Sequence, residues 1–370
     1  MTPVRPFLVI GAGLAGSSMA FELARRGHPV TVLDAAPRPA AGASGNPAGI
    51  FMPVPERRPS PREALYLEAF RWLGRLLDGP LSGVPHRRCG VIQLPRDARQ
   101  AERFADILAT RSDLYPLVEA GADLLPAAAR THPHADTALH FPQAGWLSPA
   151  ELCRHLLAGP GIETRFNQRV TGLERGGDHH WIVHCDDGSS LRAREVVLAC
   201  GPDCAALPQA AALPWHRVRG QITRIRLPGI GTAGKVLTGA GYLIPLDSDV
   251  ALVGATYRRD RCDTAPDPDE DEENLSQLAR LLPDLHGRPE VIGSRAGLRS
   301  VLPGRLPVCG PLPGTDHAGL WITAAHASRG LLTAPWCARC LADAMEGKTG
   351  TDALDRLLQP ERFSPETAAD

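Results

Sequence analysis

A glycine-rich turn near the N-terminus constrains the fold of this 370-residue chain more than any other feature. The apolar residues 7–10 predict a buried parallel strand, and Gly11, Gly13 and Gly16 follow it in the G-x-G-x-x-G spacing. Gly11 permits a tight turn, Gly13 allows a phosphate to approach the backbone, and Gly16 lets a helix pack closely on the sheet. The spacing therefore predicts a strand, a turn and a helix whose N-terminus faces an anion.

The residues after this turn complete a βαβ unit. Residues 14–26 predict a helix that ends at Gly27, and residues 30–33 predict a second strand. Asp34 follows this strand, 23 residues after Gly11, where an acidic side chain binds ribose hydroxyls in dinucleotide-binding proteins. The segment indicates a dinucleotide site, and by itself it leaves FAD and NAD as alternatives.

A second Gly-rich segment follows, and a plain nicotinamide-binding domain has no place for it. It contains Ala43, Ser44, Gly45, Asn46 and Gly49. Together with the first turn, this segment resembles the FAD-dependent amine and amino-acid oxidase superfamily, which includes D-amino-acid oxidase and glycine oxidase. It resembles more closely the oxidoreductase domain of the bifunctional tRNA 5-methylaminomethyl-2-thiouridine biosynthesis proteins. The resemblance implies that the cofactor is FAD.

The overall charge carries no signature of nucleic-acid binding, because the formal net charge is −1. The basic residues include only two Lys, and arginines cluster at residues 57–58, 87–88, 217–226 and 258–261. These clusters could follow a phosphate backbone or could simply be solvated surface. The nine Cys, which include the C-x-x-C pair Cys337 and Cys340, favour reduced thiols over disulfides or zinc, and we expect no metal.

The sequence contains neither an apolar run of about 18 residues nor a cleavable leader. We therefore expect no membrane association and a cytoplasmic location.

Periodicity predicts the secondary structure of the remaining chain. Ser148 and Glu151 form a capping box, with Pro149 at the first helical turn, and predict a helix through Leu157. Other helices are predicted over residues 62–77, 98–110, 114–129, 273–282 and 331–345, the last interrupted by Pro335. Strands are predicted over residues 91–94, 161–166, 170–174, 181–185, 195–200 and 320–324, and in alternation from 215 to 257. We interpret the acidic residues 263–273 as a solvated loop and helix start.

The order of these elements predicts an α/β fold with a discontinuous Rossmann-like FAD-binding domain and an inserted antiparallel-sheet substrate domain, similar to D-amino-acid oxidase and glutathione-reductase-like proteins. We assign residues 1–80, 145–212 and 296–370 to the FAD-binding domain. Residues 81–144 and 213–295 then form the substrate domain.

Arg299 is the candidate residue for binding a substrate carboxylate. It lies in residues 297–310, which resemble the superfamily's C-terminal motif, where an Arg precedes a Pro-rich turn. A planar guanidinium in a dry pocket suits a carboxylate, although a surface ion-pairing Arg is the alternative. The Asp common in that turn is replaced here by Gly304 and Arg305, which leaves the local hydrogen bonding open.

Tyr242 and Tyr257 are candidate catalytic residues beside Arg299. They lie in Gly-Tyr-Leu-Ile-Pro and Gly-Ala-Thr-Tyr segments that are similar to segments of the tRNA-modifying domain. Each could instead simply cap a sheet edge.

The resemblance also implies which residues bind FAD. Residues 325–335 look like that domain's Gly-Ser-Arg-Gly followed by Ala-Pro, with Ala327 in place of the first Gly. Backbone N–H groups at this helix start would face the flavin or pyrophosphate. We expect His326 to be a packed histidine rather than a base. The expected cofactor-binding residues are Gly11, Gly13, Leu14, Ala15, Gly16, Asp34, Ala43, Ser44, Gly45, Asn46, Gly49, Val170, Gly201, Gln221, Ser328, Arg329, Gly330 and Leu331.

The resemblance implies a tRNA-modifying FAD-dependent oxidoreductase that acts on a CH–NH group. It would remove the carboxymethyl group of 5-carboxymethylaminomethyl-(2-thio)uridine at the wobble position, with oxygen as electron acceptor and no stable protein partner. Only six residues precede Phe7, so we expect no methyltransferase half. The alternatives are an oxidase of free glycine, sarcosine or D-amino acids and a non-catalytic flavin- or tRNA-binding module.

Overall fold

A computed structural model describes residues 4–232, 234–348 and 356–363. The helices of this part of the chain are α1 (Leu14–Arg25), α2 (Pro61–Asp78), α3 (Ala98–Thr110), α4 (Pro149–Leu157), α5 (Pro268–Leu281) and α6 (Gly330–Met345). Its strands are β1 (Phe7–Ile10), β2 (Val30–Leu33), β3 (Gly49–Phe51), β4 (His86–Arg87), β5 (Val91–Gln93), β6 (Glu119–Ala120), β7 (Leu139–Phe141), β8 (Gly145–Leu147), β9 (Ile162–Arg165), β10 (Val170–Arg175), β11 (Trp181–Cys185), β12 (Ser190–Ala193), β13 (Glu195–Leu198), β14 (His216–Arg226), β15 (Val236–Thr238), β16 (Tyr242–Pro245), β17 (Val250–Gly254), β18 (Glu290–Val301), β19 (Val308–Pro311) and β20 (Leu320–Ala324).

A six-stranded sheet contains the N-terminal βαβ unit, in the strand order β19-β20-β13-β1-β2-β9. β1 pairs in parallel with β2 and β13, β2 with β9, and β13 with β20, whereas β19 is antiparallel. The sheet therefore joins strands from the beginning, the middle and the end of the chain. Val9 on one face packs in a core with residues of α1 and α6, and Leu8 and Ile10 on the other face pack with Trp181 of the small sheet β10-β11-β12.

An eight-stranded, mainly antiparallel sheet has the order β18-β14-β17-β16-β15-β5-β7-β6. One face carries Leu237, Leu243 and Val253 into an apolar cluster with Leu278 and Leu281 of α5. The other face, which carries Tyr242, Arg295 and Arg299, is called the near face below. It contributes to the core shared with α1 and α6. The molecule is thus an α/β fold with two large sheets.

Local signals explain where several helices begin. Ser148 Oγ accepts a hydrogen bond from the Glu151 N–H at 3.3 Å, which confirms the predicted cap of α4. Asp97 caps α3 in the same way. The apolar residues of this helix, Ala101, Phe104 and Ile107, recur at helical spacing and are buried. The predicted range 98–110 is therefore confirmed for α3.

Two helix predictions were wrong. Residues 114–129 do not form a helix, because Pro116, Gly121 and Pro126 interrupt the pattern; the segment contains short 3₁₀ turns and β6. α6 runs unbroken through Pro335, since its residues are buried on nearly all sides and packing outweighs the lost backbone hydrogen bond.

The acidic tract is also not simply solvated. Glu270 is 2% exposed, and Asp271 accepts hydrogen bonds from Thr223 and Ser294 on the sheet. α5 therefore begins five residues earlier than predicted, and its first turn docks on the sheet through carboxylates.

β18 crosses the boundary expected between residues 295 and 296. β4 was expected in the substrate domain and β8 in the FAD-binding domain. The two strands nevertheless pair in the small sheet β3-β8-β4. Residues 1–3, 349–355 and 364–370 of the expected FAD-binding domain lie outside the described residues. Within the described chain, every helix is too short or too polar to cross a membrane.

Candidate functional site

The three glycines of the first turn form a close-packed cradle. Gly11 has a φ of 111°, and a Cβ there would contact the Ala199 carbonyl oxygen at 2.5 Å. A Cβ on Gly16 would clash with the Gly11 carbonyl oxygen. Gly13 occupies the N-cap of α1 and offers no side-chain cap, so the N-terminus of the helix is left for another partner.

The N-terminus of α1 meets the second Gly-rich segment. Ser44 Oγ accepts a hydrogen bond from the Leu14 N–H at 3.0 Å, and a Cβ on Gly13 would lie 3.2 Å from the same oxygen. Ala15 follows in the first turn of the helix. A hydroxyl and the positive end of the helix dipole therefore converge, as a pyrophosphate requires.

Asp34 holds the turn through its carboxylate. Its oxygens accept hydrogen bonds from the Ala12 N–H at 2.6 Å and the Ala36 N–H at 2.8 Å. The side chain fixes the loop around the cradle. Its binding to ribose stays a prediction.

Arg295 fastens the second Gly-rich segment to the near face of the eight-stranded sheet. It donates to Asn46 Oδ1 at 2.8 Å and to the carbonyl oxygens of Ala41 and Gly42. A Cβ on Gly45 would lie 2.5 Å from its Nη2 atom. No motif pointed to Arg295, although its position two and four residues before Gly297 and Arg299 places all three on one face of a strand.

The start of α6 lies against both glycine-rich segments. A Cβ on Gly330 would lie 3.2 Å from Leu14 Cδ1, and a Cβ on Gly49 would lie 2.9 Å from Leu331 Cδ1. Ala43 also packs close to the eight-stranded sheet, because a Cβ on Gly297 of β18 would lie 3.3 Å from the Ala43 Cα. The structure thus brings together predicted cofactor-binding residues of three segments, 11–16, 43–49 and 330–331.

The segment before α6 contains a histidine and an arginine that are both half-buried. His326 Nδ1 lies 2.9 Å from Thr333 Oγ1, and burial lowers the histidine pKa to about 4. Ser328 is exposed. The Arg329 guanidinium lies 5.9 Å from the centre of the Tyr66 ring, and burial lowers the pKa of Arg329. Tyr66 is a second residue near the site to which no sequence motif pointed.

Two predicted cofactor-binding residues follow the carboxyl ends of strands in the six-stranded sheet. Gly201 follows β13 with a φ of 61° and begins a short 3₁₀ helix. Val170 begins β10 and is half-buried against the cluster that contains Ile10. Both positions follow the carboxyl ends of sheet strands, which is where ligands bind in α/β folds.

Gln221 is a correction to the predicted site. Its side chain is fully buried beneath α5, where it donates to the Asp267 carbonyl oxygen at 2.7 Å and to Asp271 at 2.8 Å. Side chains alternate along a strand, so Gln221 points away from the near face while its neighbour Gly220 lies on it. Of these two neighbours, Gly220 rather than the predicted Gln221 therefore lies on the near face.

Arg299 and Tyr242 meet on the near face. The register places Arg299 beside Val218 and Tyr242 beside Gly254, which in turn pairs with Ile222. A Cβ on Gly220 would clash with the Arg299 guanidinium, so the missing side chain leaves room for it. Gly254 leaves room for Tyr242 in the same way, since a Cβ there would lie 3.1 Å from the phenol oxygen.

Arg299 is half-buried, and its guanidinium has no acidic partner among the described residues. Its hydrogen bond is to the Thr256 carbonyl oxygen at 3.3 Å. Burial lowers the pKa of Arg299, while Tyr242 and Tyr257 act in the opposite direction. Burial also raises the pKa of Tyr242 to about 12, against the influence of Arg299. A protonated phenol and an unneutralised cation therefore lie together on the near face, which suits a carboxylate.

Tyr257 is placed differently from Tyr242, because it is 42% exposed. It is close enough to Arg299 to raise the pKa of that arginine, yet much of its own side chain reaches solvent. Across the part of the chain that the structure describes, no group of three or more His, Cys, Asp or Glu side chains is arranged to hold a metal.

The glycine cradle, the converging second segment and the parallel sheet define a flavin-dependent oxidoreductase. Residues 7–344 match the family described as FAD dependent oxidoreductase, and the chain belongs to this family. Its cofactor is FAD, and the cradle fits the dinucleotide because Gly11, Gly13 and Gly16 each stand where a Cβ would crowd the turn.

The chain is similar to the tRNA 5-methylaminomethyl-2-thiouridine biosynthesis bifunctional protein MnmC of Hahella chejuensis, with 35% identity over 98% of this chain and 60% of the relative. The corresponding protein of Chromohalobacter salexigens is 33% identical over 92% of this chain and 53% of the relative. The chain thus spans little more than half the length of these relatives. In fold it is similar to glycine oxidase from Geobacillus kaustophilus, with a TM-score of 0.82, 22% identity, and coverage of 96% and 99% of the two chains.

Proposed function

We propose that this chain oxidises the carboxymethylaminomethyl group of a wobble uridine in tRNA and releases glyoxylate and the aminomethyluridine. The half-buried Arg299 guanidinium, which has no acidic partner among the described residues, is the observation that carries the proposal, because a glycine-like substrate ends in a carboxylate. The similarity to MnmC proteins over most of this chain supports the tRNA substrate.

The proposed reaction breaks one C–H bond. When bound, FAD accepts a hydride from the methylene carbon next to the secondary amine, and the amine loses its proton. Water then hydrolyses the resulting imine to glyoxylate and the primary amine. Oxygen is the proposed final electron acceptor.

The protein's own residues orient the substrate in this scheme. Arg299 binds the carboxylate, and the Tyr242 phenol, which stays protonated because its pKa is about 12, donates a hydrogen bond beside it. The turn around Gly11, Gly13 and Ser44 binds the pyrophosphate. Arg295 keeps the second Gly-rich segment in place.

The remaining expectations are part of the proposal. Residues 1–80, 145–212 and 296–370 form the FAD-binding domain and residues 81–144 and 213–295 the substrate domain, with β18 shared between them. The enzyme acts in the cytoplasm on tRNA without a stable protein partner.

The alternative is an oxidase of free glycine, sarcosine or a D-amino acid, which would use the same Arg299. A free amino acid suits a closed pocket, whereas the exposed Tyr257, one residue from the Thr256 carbonyl that Arg299 binds, favours a larger substrate.

The test mixes the FAD-loaded protein anaerobically with tRNA that bears carboxymethylaminomethyluridine, and separately with glycine, sarcosine and D-alanine, while flavin absorbance is followed. We expect tRNA to bleach the flavin. Bleaching by a free amino acid alone would replace the proposal with the alternative. Retained reduction by tRNA in an Arg299→Ala variant would contradict the role of Arg299.

A further inference from the structure

An exposed aromatic ring with two arginines near it lies next in the chain to the residue that Arg299 binds. Tyr257 is 42% exposed, although the Arg259 guanidinium lies 5.8 Å and the Arg305 guanidinium 5.6 Å from its ring centre. These three residues are called the mouth platform. Part of the ring surface is therefore still open to a flat ligand.

The two arginines of the mouth platform differ from their neighbours in charge pairing. Arg258 pairs with Glu273, and Arg261 pairs with Asp263 at 3.0 Å. Within the described ranges, neither Arg259 nor Arg305 forms an ion pair with an acidic side chain. Their N–H groups are held near the ring and remain available for anions.

The backbone places the mouth platform next to Arg299. Tyr257 directly follows Thr256, whose carbonyl oxygen accepts the Arg299 hydrogen bond. Arg305 reaches the ring from a turn in which Gly304 and Arg305 have φ angles of 77° and 58°. A left-handed backbone is uncommon for a residue with a side chain and persists only where the surrounding structure holds it.

We propose that the mouth platform binds single-stranded RNA next to the oxidised nucleoside, with a base stacked on Tyr257 and phosphates bound by Arg259 and Arg305. This inference rests on the proposed function, because it assigns the RNA contact of the same pocket. Aromatic rings with adjacent arginines bind single strands by stacking and by charge. An acidic polypeptide would use the arginines but would have no use for an open ring face.

The test measures binding of a fluorescently labelled, unmodified tRNA anticodon stem-loop to the FAD-loaded full chain, by fluorescence anisotropy at several salt concentrations. An Arg259→Ala/Arg305→Ala variant should bind about tenfold more weakly, and its salt slope should fall by about 1.4 for two lost single-strand phosphate contacts. Tyr257→Ala should weaken binding about tenfold, whereas Tyr257→Phe keeps the ring and should bind RNA like the wild type.

The matched control removes two exposed arginines outside the arginine clusters, in an Arg192→Ala/Arg288→Ala variant. These side chains pair with Asp178 and Glu272 and are 61% and 75% exposed. Binding that falls equally in the control and the platform variants would overturn the inference, as would wild-type binding to poly-glutamate but not to RNA.

Flavin reduction separates this inference from the proposed function. If tRNA reduces the wild-type flavin while the platform variants bind RNA normally, only the mouth platform is wrong. If free glycine alone reduces the flavin, the proposed function fails, and the anisotropy measurement still decides whether the platform binds RNA.

Discussion

Arg219 and Arg299 lie on the paired strands β14 and β18 but on opposite faces of the sheet. Arg219 is fully buried beneath α5, where it pairs with Glu270 and lies 3.5 Å from Asp263. It also donates to the carbonyl oxygens of Asp263 and Ala265. Arg299 has a hydrogen bond to the Thr256 carbonyl and no carboxylate partner among the described residues.

The difference separates a structural cation from one that is available to a ligand. A buried charge is costly unless it is paired, so the acidic partners around Arg219 explain its place in the core. Arg299 lacks such partners, and burial accordingly lowers its pKa. An incoming carboxylate would supply the missing charge.

Replacing Arg219 should have the largest effect on stability. Arg219→Met leaves Glu270 buried without its main cation, and we expect a loss of about 3–5 kcal/mol in the free energy of unfolding. Chemical denaturation of the FAD-loaded protein measures it. The Arg219→Met/Glu270→Gln double variant should recover part of the lost free energy of unfolding. By contrast, Arg299→Met should lower the free energy of unfolding by less than about 1 kcal/mol, because it removes an unpaired cation. Equal losses at positions 219 and 299 would remove the distinction.

Replacing Arg299 should mainly affect catalysis. Arg299→Ala should lower kcat/KM about 10³-fold and Arg299→Lys about 10²-fold, because an ammonium cannot reproduce the two-point contact of a guanidinium with a carboxylate. Steady-state kinetics with the best substrate and flavin absorbance for bound FAD measure both effects. A substrate analogue without the carboxylate should discriminate far less between wild type and variant, and similar losses with both substrates would argue against a carboxylate clamp.

Replacing His326 should change how stability depends on pH, because this histidine is another group of the site without a charged partner among the described residues. Burial lowers its pKa from the ordinary 6.5 to about 4, so the folded state favours the neutral ring. The unfolded chain binds the proton first as pH falls, and the stabilisation present above about pH 6.5 should decrease by about 1–3 kcal/mol as the pH approaches 4. Unfolding measured across this range should be less pH-dependent in His326→Gln. An identical pH profile in the variant would assign the effect to other groups.

Gly220→Ala changes the space around Arg299 without changing the arginine. The new Cβ would clash with the guanidinium, which must move, and we expect kcat/KM to fall about tenfold while FAD stays bound. Gly172→Ala is the matched control, because a Cβ at that strand position meets nothing within 4 Å. Unchanged kinetics in Gly220→Ala would show that the position of Arg299 over Gly220 is not needed.

Residues close together in sequence were the most predictable. The ranges of α3 and β20, the cap of α4 and the glycine turn follow from spacing and hydrogen-bonding groups within a few residues. The helix predicted over residues 114–129 was wrong because its apolar periodicity continued across Pro116 and Pro126. The apolar periodicity alone did not show that these prolines interrupt the helix.

The composition of the site depended on long-range register. Arg299 and Tyr242 could be selected from motifs, but Gln221 could not be assigned to the correct face, because a strand exposes alternate residues to opposite sides. Arg295 was missed because its partners Asn46 and Ala41 are about 250 residues away in the chain. The exposure of Tyr257 likewise depends on neighbours that are distant in sequence.

By itself, the sequence determined the dinucleotide-binding turn, the resemblance to FAD-dependent oxidases and the candidate carboxylate-binding arginine, since these depend on residue type and short spacing. Only the tertiary structure decided which arginine is neutralised by acids and which is not. The physical reason is that the cost of a buried charge depends on every group packed around it, and strands β14 and β18 bring different groups to their two faces.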